Sequence, residues 1–362
     1  MNYNEKRRKT RAVRVGDQTL GGTAPIIIQS MTNTDTRDYA ATLAQVRALA
    51  HAGCDVVRLT VPDAEAAQTI ARLKKELPHV PLVADIHFDY RAAIAAAQAG
   101  ADKIRINPGN IGGEERVRAV VAACKERGLP IRIGVNGGSL EKHILAKHGK
   151  PTAEALCESA FYHIGLLEKY GFTDIVVSIK SSDVATMIAA NRLVAAACDY
   201  PLHLGVTEAG GASRGSIKSA IGVGALLADG IGDTVRVSLT ADPVEEIAAA
   251  RNILSALAIE GQSGLNIVSC PTCGRTKIDL IELSARFERA AGEAGLLDLP
   301  VKVALMGCAV NGPGEAREAD IGICGGVGEA LLIKKGEIID RVPEEAVIDR
   351  LLVELFKIKE QK

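Results

Sequence analysis

Three cysteines and one glutamate near the end of the chain have the types and spacing of a metal site. Cys270 and Cys273 form a C-x-x-C pair in V-S-C-P-T-C-G-R, and Cys308 precedes Glu315 by seven positions in M-G-C-A-V-N-G-P-G-E-A. Proline and glycine in both segments favour turns and loops, which allows the two segments to converge on one centre. Three sulfur ligands suit an iron–sulfur cluster or zinc, and the fourth ligand decides between them.

The identity of that fourth ligand is open at this point. A closed zinc site usually repeats the C-x-x-C pair or adds histidine, but the chain has no second pair and no histidine after His203. Cys324 could complete a four-cysteine zinc site. A glutamate oxygen would instead bind iron more weakly than a thiolate does, which would leave one exchangeable position for a substrate.

The two motifs resemble those of the 4-hydroxy-3-methylbut-2-enyl diphosphate synthase family, the iron–sulfur enzymes of the methylerythritol phosphate route to isoprenoids. Segments similar to this family run from near residue 24 to near residue 330. In that family three cysteines and a glutamate hold a [4Fe-4S] cluster. The resemblance therefore implies that Cys270, Cys273, Cys308 and Glu315 are the cluster ligands in this chain.

The chain before this site repeats one pattern from residue 25 to about residue 258. A short β-branched run is followed by an alanine-rich amphipathic helix, and the pattern recurs eight times. The predicted strands lie near 25–31, 55–61, 80–86, 102–107, 130–136, 174–180, 202–207 and 233–239. The predicted helices include 38–52, 114–127, 152–170 and 242–257. Eight consecutive units favour a (β/α)8 TIM barrel over a doubly wound open sheet.

The rest of the chain is predicted to form a smaller α+β unit. We place the barrel domain at 1–262 and the cluster domain at 263–362, joined by the G-Q-S-G linker at 261–264. The second domain is predicted to contain a helix near 277–291, strands near 301–306, 320–323, 329–334 and 337–341, and a helix near 343–358. Pro343 would open that last helix. The family resemblance implies a domain similar to those of sulfite and nitrite reductases.

Four predicted barrel strands carry an arginine between two aliphatic residues. These arginines are Arg58, Arg105, Arg132 and Arg236. Alternation along a strand would direct the aliphatic residues toward the outer helices and each arginine into the lumen. Asp85 or Glu208 could pair with one of them, but an unpaired buried ion is costly and four arginines exceed these acids. A diphosphate would satisfy several guanidinium groups at once.

Glycine-rich loops follow several of these strands at the rim where barrel enzymes place their chemistry. The segments 106–112 and 135–140 offer backbone amides, and segment 210–219 places Arg214 and Lys218 near the start of a helix. Lys180 in isolation would suggest a Schiff-base aldolase. Beside a cluster motif, we interpret Lys180 as an electrostatic or hydrogen-bonding residue.

The family resemblance assigns roles to some of these side chains. It implies that the diphosphate of the substrate is held by Arg58, Arg105, Arg132, Asn136 and Lys218. It also implies that Asp85 and Glu208 stand near the substrate hydroxyl as catalytic acids. Each of these two acids could instead orient an arginine.

The reaction implied by the resemblance is the reductive ring opening and dehydration of 2-C-methyl-D-erythritol 2,4-cyclodiphosphate to (E)-4-hydroxy-3-methylbut-2-enyl diphosphate. Two electrons would pass through the cluster from ferredoxin or flavodoxin. One alternative is a non-redox barrel synthase for a phosphorylated or pterin substrate, with a structural zinc site. A second alternative is an iron–sulfur scaffold or sensor, but a carrier does not need an arginine-lined lumen.

The composition of the chain indicates which kinds of partner and which cellular compartment to expect. The net charge is −1 and tryptophan is absent, which argues against a basic, aromatic nucleic-acid surface. The N-terminal segment 1–11 is basic without an apolar core, so we predict a solvated arm rather than a signal peptide. No apolar run reaches membrane-spanning length. Eight cysteines without an export signal indicate the cytoplasm.

The short linker also predicts the assembly. The last barrel helix runs toward the face opposite the catalytic rim, so the linker starts at the wrong end for the cluster to cover its own barrel. Four or five residues span at most about 15–18 Å. We therefore expect a head-to-tail homodimer with composite active sites, an arrangement that the family resemblance also implies.

Overall fold

The computed structural model describes residues 3–259, 264–297, 299–310 and 312–361. The chain divides into two compact units, Met1–Glu260 and Gly261–Lys362. The predicted linker at 261–264 lies outside the described residues except for its last glycine. Over the described ranges, no helix has both the length and the apolar character needed to cross a membrane.

Eight parallel strands form the sheet of the first unit, and a two-stranded hairpin precedes them. The hairpin strands are β1 (Val13–Val15) and β2 (Gln18–Leu20). The sheet strands are β3 (Ile27–Met31), β4 (Val56–Thr60), β5 (Leu82–Asp85), β6 (Lys103–Ile106), β7 (Ile131–Asn136), β8 (Ile175–Lys180), β9 (His203–Leu204) and β10 (Thr234–Val235). Their hydrogen-bonded order is β8-β7-β6-β5-β4-β3-β10-β9. A parallel bridge between Val177 and Leu202 joins the two ends, so the sheet closes and the predicted TIM barrel is confirmed.

Helices alternate with these strands and cover the outside of the barrel. They are α1 (Tyr3–Lys6), α2 (Tyr39–His51), α3 (Ala64–Glu76), α4 (Tyr90–Gln98), α5 (Glu114–Arg127), α6 (Lys142–His148), α7 (Ala153–Glu168), α8 (Val184–Ala197), α9 (Ala212–Ala228) and α10 (Pro243–Ala256). Several begin directly after an aspartate whose carboxylate accepts a backbone N–H of the first turn, as Asp38 does before α2 and Asp242 before α10. These caps fix where each rim loop ends and each helix begins.

Two apolar layers hold the barrel together. Aliphatic residues on the outward face of the strands, such as Val57, Ile104 and Ile133, pack against the helices in one large buried cluster. A second cluster fills the N-terminal end of the lumen, where the hairpin packs against the first residues of the strands. Its members are Val13, Val15, Leu20, Ile27, Val56, Val83 and Val176. The hairpin thus forms an apolar floor, which we call the lumen floor.

The prediction of a solvated N-terminal arm is wrong for residues 3–11. Tyr3 is buried, and its hydroxyl donates a hydrogen bond to the carbonyl of Gly232 at 2.8 Å. The guanidinium of Arg8 donates to the carbonyl groups of Cys198 and Tyr200. Arg7 and Arg8 therefore donate to carbonyl groups of the barrel, a use that their charge alone does not reveal, whereas Lys6, Lys9 and Arg11 are exposed as predicted.

The second unit is a five-stranded mixed sheet with helices on it, the α+β domain that was predicted. Its strands are β11 (Asn266–Ser269), β12 (Lys302–Met306), β13 (Ile321–Gly325), β14 (Glu329–Lys334) and β15 (Glu337–Pro343), hydrogen-bonded in that order. Its helices are α11 (Leu280–Glu293), α12 (Gly312–Glu315) and α13 (Val347–Glu360). Strands β11, β12 and β13 run parallel, and β14 and β15 return antiparallel.

Two details of this unit differ from the sequence prediction. Pro343 does not open the last helix but ends β15, and a 3-10 turn at Glu344–Ala346 separates it from α13. Strand β11 was not predicted, although Asn266–Ser269 directly precedes the first cysteine. Residues of α11 and α13, such as Phe287 and Leu351, pack on one face of the sheet. The opposite face carries a smaller cluster that includes Met306 and Cys324.

Candidate active site

The topology of the second unit brings its two cysteine motifs together. Cys270 directly follows β11, and Cys308 lies two residues after β12. Since β11 and β12 are parallel neighbours, their carboxyl ends meet at the same edge of the sheet. The backbone N–H of Cys270 bonds the carbonyl of Leu305 at 3.1 Å, and the N–H of Gly307 approaches the Cys270 sulfur at 3.3 Å. The two segments are therefore held in register.

The C-P-T-C turn has an uncommon backbone. Thr272 has a φ of 60°, and a β-branched residue in this left-handed region is strained by about 1–2 kcal/mol. The turn is closed by the Cys273 N–H, which donates to the Thr276 hydroxyl at 3.0 Å. The backbone N–H of Arg275 and then its guanidinium lower the pKa of the Cys273 thiol. The turn thus presents Cys273 to solvent in a form that favours the thiolate, the state that binds metals.

All four predicted metal ligands line one cavity of about 190 Å³. Its walls are Cys270, Pro271, Thr272, Cys273, Arg275, Met306, Gly307, Cys308, Gly312 and Glu315. Among the described residues, no group of three or more His, Cys, Asp or Glu side chains is placed to hold a single metal ion. Three thiols and a carboxylate spread around one cavity fit a polynuclear cluster, in which each ligand binds a different iron.

Cys324 does not join this ligand set. It is fully buried in β13, and its sulfur would lie 2.6 Å from a Cβ placed on Gly312, so it packs directly behind that glycine. Burial raises the pKa of the Cys324 thiol to about 12. Cys324 is therefore not among the residues that line the cavity of the four predicted ligands.

The barrel lumen is strongly cationic above its apolar floor. Within the described barrel residues, lumen-facing positions of the strands carry the cations Arg58, Lys103, Arg105, Arg132, Lys180 and Arg236. Asp85 and Glu246 are the carboxylates that bind them. Because these six basic side chains share only two acids, several of them lack a counter-charge that an anionic ligand would supply.

Asp85 organises one side of this lumen. The side chain is completely buried, and its oxygens lie 2.6 Å from a nitrogen of Arg58 and 3.0 Å from a nitrogen of Arg105. His87 approaches it at 3.3 Å. Burial alone would raise the pKa of Asp85, but Arg58, His87 and Arg105 together hold it well below its usual range. Asp85 is therefore a carboxylate that orients two arginines.

Arg132 is the lumen arginine with the least compensation, whereas Arg105 shares Asp85 with Arg58. Arg132 is 1% exposed, and neither its Nε nor its Nη1 has a hydrogen-bond partner within the described structure. The guanidinium of Arg105 lies over Gly134 of the neighbouring strand β7. A Cβ placed on Gly134 would be only 2.5 Å from that guanidinium. The absence of a side chain at Gly134 thus leaves the space that the Arg105 guanidinium occupies.

Sequence reasoning missed Glu246, which lies in the first turn of α10. Its carboxylate accepts hydrogen bonds from Arg236 at 3.2 Å and from the Ser30 hydroxyl at 2.7 Å, and it is buried. This pair explains one of the four arginines without a ligand. A buried acid on a helix facing a strand arginine leaves no spacing signal in the sequence, so tertiary structure was needed to find it.

The remaining predicted residues lie at or outside the carboxyl rim. Asn136 is the last residue of β7 and is partly buried, and Ser139 connects its loop to Asn107 at 3.1 Å. Glu208 is exposed and has a φ of 53°, a left-handed conformation that is uncommon outside glycine. Lys218 is exposed on the second turn of α9, so the structure does not bring it into the buried lumen.

Comparison with known proteins gives matches over nearly the whole chain. Residues 10–251 match the GcpE TIM-barrel domain, and residues 266–357 match the GcpE protein C-terminal domain. A protein of Ruminiclostridium cellulolyticum named 4-hydroxy-3-methylbut-2-en-1-yl diphosphate synthase (flavodoxin) is 56% identical over 353 residues, 98% of this chain and 99% of that protein. A protein of Caldanaerobacter subterraneus with the same name is 55% identical over 356 residues, with coverage of 98% and 99%.

The solved structures of similar fold have much lower sequence identity to this chain than these relatives do. A spore coat polysaccharide biosynthesis protein of Bacillus subtilis aligns with a TM-score of 0.49 and 13% identity, over 68% of this chain and 73% of that one. A dihydropteroate synthase of Xanthomonas albilineans aligns with a TM-score of 0.48 and 16% identity, over 70% and 99%. At these scores the likenesses carry no argument about activity.

Proposed function

The chain belongs to the GcpE family, and we propose that it converts 2-C-methyl-D-erythritol 2,4-cyclodiphosphate to (E)-4-hydroxy-3-methylbut-2-enyl diphosphate by reductive ring opening and dehydration. The observation that carries this proposal is the full-length match to relatives that bear the name of this enzyme. The reaction requires a site for the diphosphate and a site for the cluster. The lumen lined with basic side chains and the thiol-lined cavity are suited to these two roles.

The barrel supplies the binding energy for the diphosphate. Arg58, Arg105 and Arg132 present guanidinium groups that match phosphate oxygens bidentately, and they lie below the rim where barrel enzymes act. Asn136 adds a polar side chain at that rim. As the ring opens, the same cations stabilise the charge that develops on the leaving diphosphate. Lys218 stays a predicted contact, since its helix position is exposed.

The second unit has the residues that fit a [4Fe-4S] cluster. Cys270, Cys273, Cys308 and Glu315 would hold it, and when bound it supplies the two electrons of the reduction. The printed names of the relatives specify flavodoxin, so we assign flavodoxin rather than ferredoxin as the electron donor. A thiolate-lined cavity of this kind is suited to the reducing cytoplasm, where we place the protein.

Glu208 is the better candidate for the acid that protonates the departing oxygen. It follows β9 at the rim and is exposed, whereas Asp85 is an ionised carboxylate bound to arginines. Its left-handed backbone costs about 1–2 kcal/mol, and strain of this size is often kept at functional positions. We therefore assign the proton to Glu208 and the orientation of the arginines to Asp85.

A homodimer with composite active sites completes the proposal. Helix α10 has 14 residues, about 21 Å, and it leads away from the carboxyl rim. Between Ile259 and Gly264 the chain can extend at most about 18 Å. This reach favours a cluster unit that serves the barrel of a second copy, in a closed two-fold assembly.

The cluster assignment is tested by anaerobic reconstitution with iron and sulfide. We expect wild-type protein to show the broad visible absorption of an iron–sulfur cluster, and Cys270→Ser, Cys273→Ser and Cys308→Ser each to lose colour and turnover. Cys324→Ala is the matched control, because it removes a buried thiol at a cost of about 1 kcal/mol without touching the ligand set. Bleaching by Cys324→Ala alone, or a colourless protein that binds zinc, would contradict the ligand assignment.

A further inference from the structure

Lys103 lies at the bottom of the cationic lumen. It begins β6 and is two residues before Arg105, so alternation directs both side chains to the lumen. Its β-sheet partner on β5 is Val83, a member of the lumen floor. Lys103 is 0% exposed. Its amine is therefore held between the apolar floor and the arginines that we assign to the diphosphate.

The ammonium group of Lys103 has no hydrogen-bond partner within the described structure. The charged groups that act on it are Arg132 and Arg58, which are both cations. The nearest lumen carboxylate, Asp85, is already bound by Arg58 and Arg105. A buried amine without a protein partner in the described structure is a group that a ligand entering the lumen could satisfy.

Other buried side chains of the lumen strands share this lack of partners. Both amide atoms of Gln29, the Nε2 of His203 and two nitrogens of Arg132 are buried without hydrogen bonds in the described residues. All of these residues are less than 2% exposed. The lumen thus contains several buried polar groups without protein partners, which is the pattern of a binding site rather than of a packed core.

We propose that Lys103 is a further positioning residue for the diphosphate, which carries its charge only while that anion is bound, so that substrate binding takes up a proton. This inference rests on the proposed function, because it needs the diphosphate above Arg132. Lys103 would act as the deepest counter-charge of the site, drawing the anion down onto the arginines. Gln29 and His203 would complete its hydrogen bonds.

The electrostatics give the sign of the effect. A completely buried amine with no acid partner is more stable in its neutral form, and burial, then Arg132 and Arg58, accordingly lower the pKa of Lys103 well below its ordinary value. A bound dianion raises that pKa again, and the amine gains a proton from solvent. The charged and titratable groups of the other lumen strands are Arg58, Asp85, Arg132, Lys180, His203 and Arg236.

Calorimetry measures this proton directly. The cyclic diphosphate is titrated into full-length, cluster-loaded protein under anaerobic conditions without an electron donor, in two buffers of different ionisation enthalpy at about pH 8. Each phosphorus of this ligand carries one strongly acidic group, so the ligand itself does not titrate there. We expect wild-type protein to take up about one proton, and Lys103→Met to take up none and to bind about 10- to 100-fold more weakly.

His203→Gln is the matched variant, because His203 is another buried titratable group of the lumen with an unpartnered nitrogen. Loss of proton uptake in Lys103→Met but not in His203→Gln supports the proposal. The reverse pattern, or unchanged uptake and affinity in Lys103→Met, overturns it. If Lys103→Met does not fold, absence of proton uptake by the wild-type protein between about pH 7 and 9 also overturns it. Failure of the wild-type protein to bind the cyclic diphosphate at all would count against the proposed function instead.

Discussion

Asp85 is the residue on which the order of the lumen depends. It is the lumen carboxylate that binds two of the arginines, and it is completely buried. Without it, Arg58 and Arg105 would repel each other and Arg132 in a space closed to water. A carboxylate at this position therefore keeps the anion site assembled while the substrate is absent.

We expect Asp85→Asn to lower the free energy of unfolding by about 3–5 kcal/mol, because it leaves two buried arginines without an acid. The pKa of Asp85 is lower in the folded state than in the unfolded chain. The contribution of Asp85 to the free energy of unfolding is therefore complete above about pH 4, the unfolded-state pKa, and is lost as the pH falls through the lower folded-state pKa. Urea unfolding at several pH values measures both effects. Asp89→Asn on the same loop is the control, since asparagine also caps α4 well. Equal stability of the two variants at neutral pH would contradict the account.

Single residues were easiest to predict where the residue type and its position in a motif or strand point to the same kind of site. The family motifs brought out the four residues that line one cavity, and strand alternation brought out the lumen arginines, because both are local patterns. Lys103 follows the same alternation as Arg105, so its lumen-facing position could have been predicted. It was not, because attention went to the arginine of that strand. Glu246 could not be found, because its partner Arg236 is ten residues away on another element.

The hairpin of β1 and β2 is the element that closes the barrel from below. Its residues Val13, Val15 and Leu20 are buried against the first residues of the barrel strands. The polar layer around Lys103 lies directly above this floor. An intact floor keeps water from entering that layer from the N-terminal end, which strengthens every charge interaction above it.

We expect Leu20→Ala to lower the free energy of unfolding by about 2–5 kcal/mol, because it opens a cavity in a completely buried floor. It should also weaken binding of the cyclic diphosphate, since water then reaches the cations. Thr19→Ala, on the exposed side of the same strand, is the control. Denaturant unfolding and calorimetric titration of both variants measure these effects. A Leu20→Ala protein as stable as Thr19→Ala would show that the hairpin does not seal the lumen.

Element boundaries were predictable where a run of β-branched or alanine-rich residues is long. Helix α5 and strand β14 have the predicted bounds, whereas β9 and β10 are only two residues long. In the latter pair, Gly205 lets the carbonyl of Arg236 approach closely, so the backbone departs from regular pairing early. Such a departure depends on a contact between strands and cannot be derived from either strand alone.

At the scale of the whole molecule, the two units contribute different chemistry. The first unit has the cationic lumen and the second has the thiol-lined cavity. Neither unit alone holds what the proposed reaction requires. The short connection between Ile259 and Gly264 is the reason to expect that the two halves of one active site come from two chains.

We expect that mixing Arg132→Leu protein with Cys308→Ser protein restores part of the activity. Each variant alone lacks one half of every site, but a mixed dimer has one barrel and one cluster unit that are both intact and belong to different chains. Turnover after subunit exchange, with exchange verified by mass spectrometry of differently tagged chains, measures this. Confirmed exchange without recovered activity would place the whole site within one chain.

The most direct test of the central claim is an anaerobic turnover measurement with reconstituted wild-type protein, the cyclic diphosphate and reduced flavodoxin. Electron consumption is followed by flavodoxin absorption, and the product is identified by phosphorus NMR and mass spectrometry. The account predicts one molecule of (E)-4-hydroxy-3-methylbut-2-enyl diphosphate for every two electrons, and no product from Cys308→Ser. A wild-type protein that carries the cluster and binds the cyclic diphosphate, but consumes no electrons or releases a product that is not reduced, would contradict it.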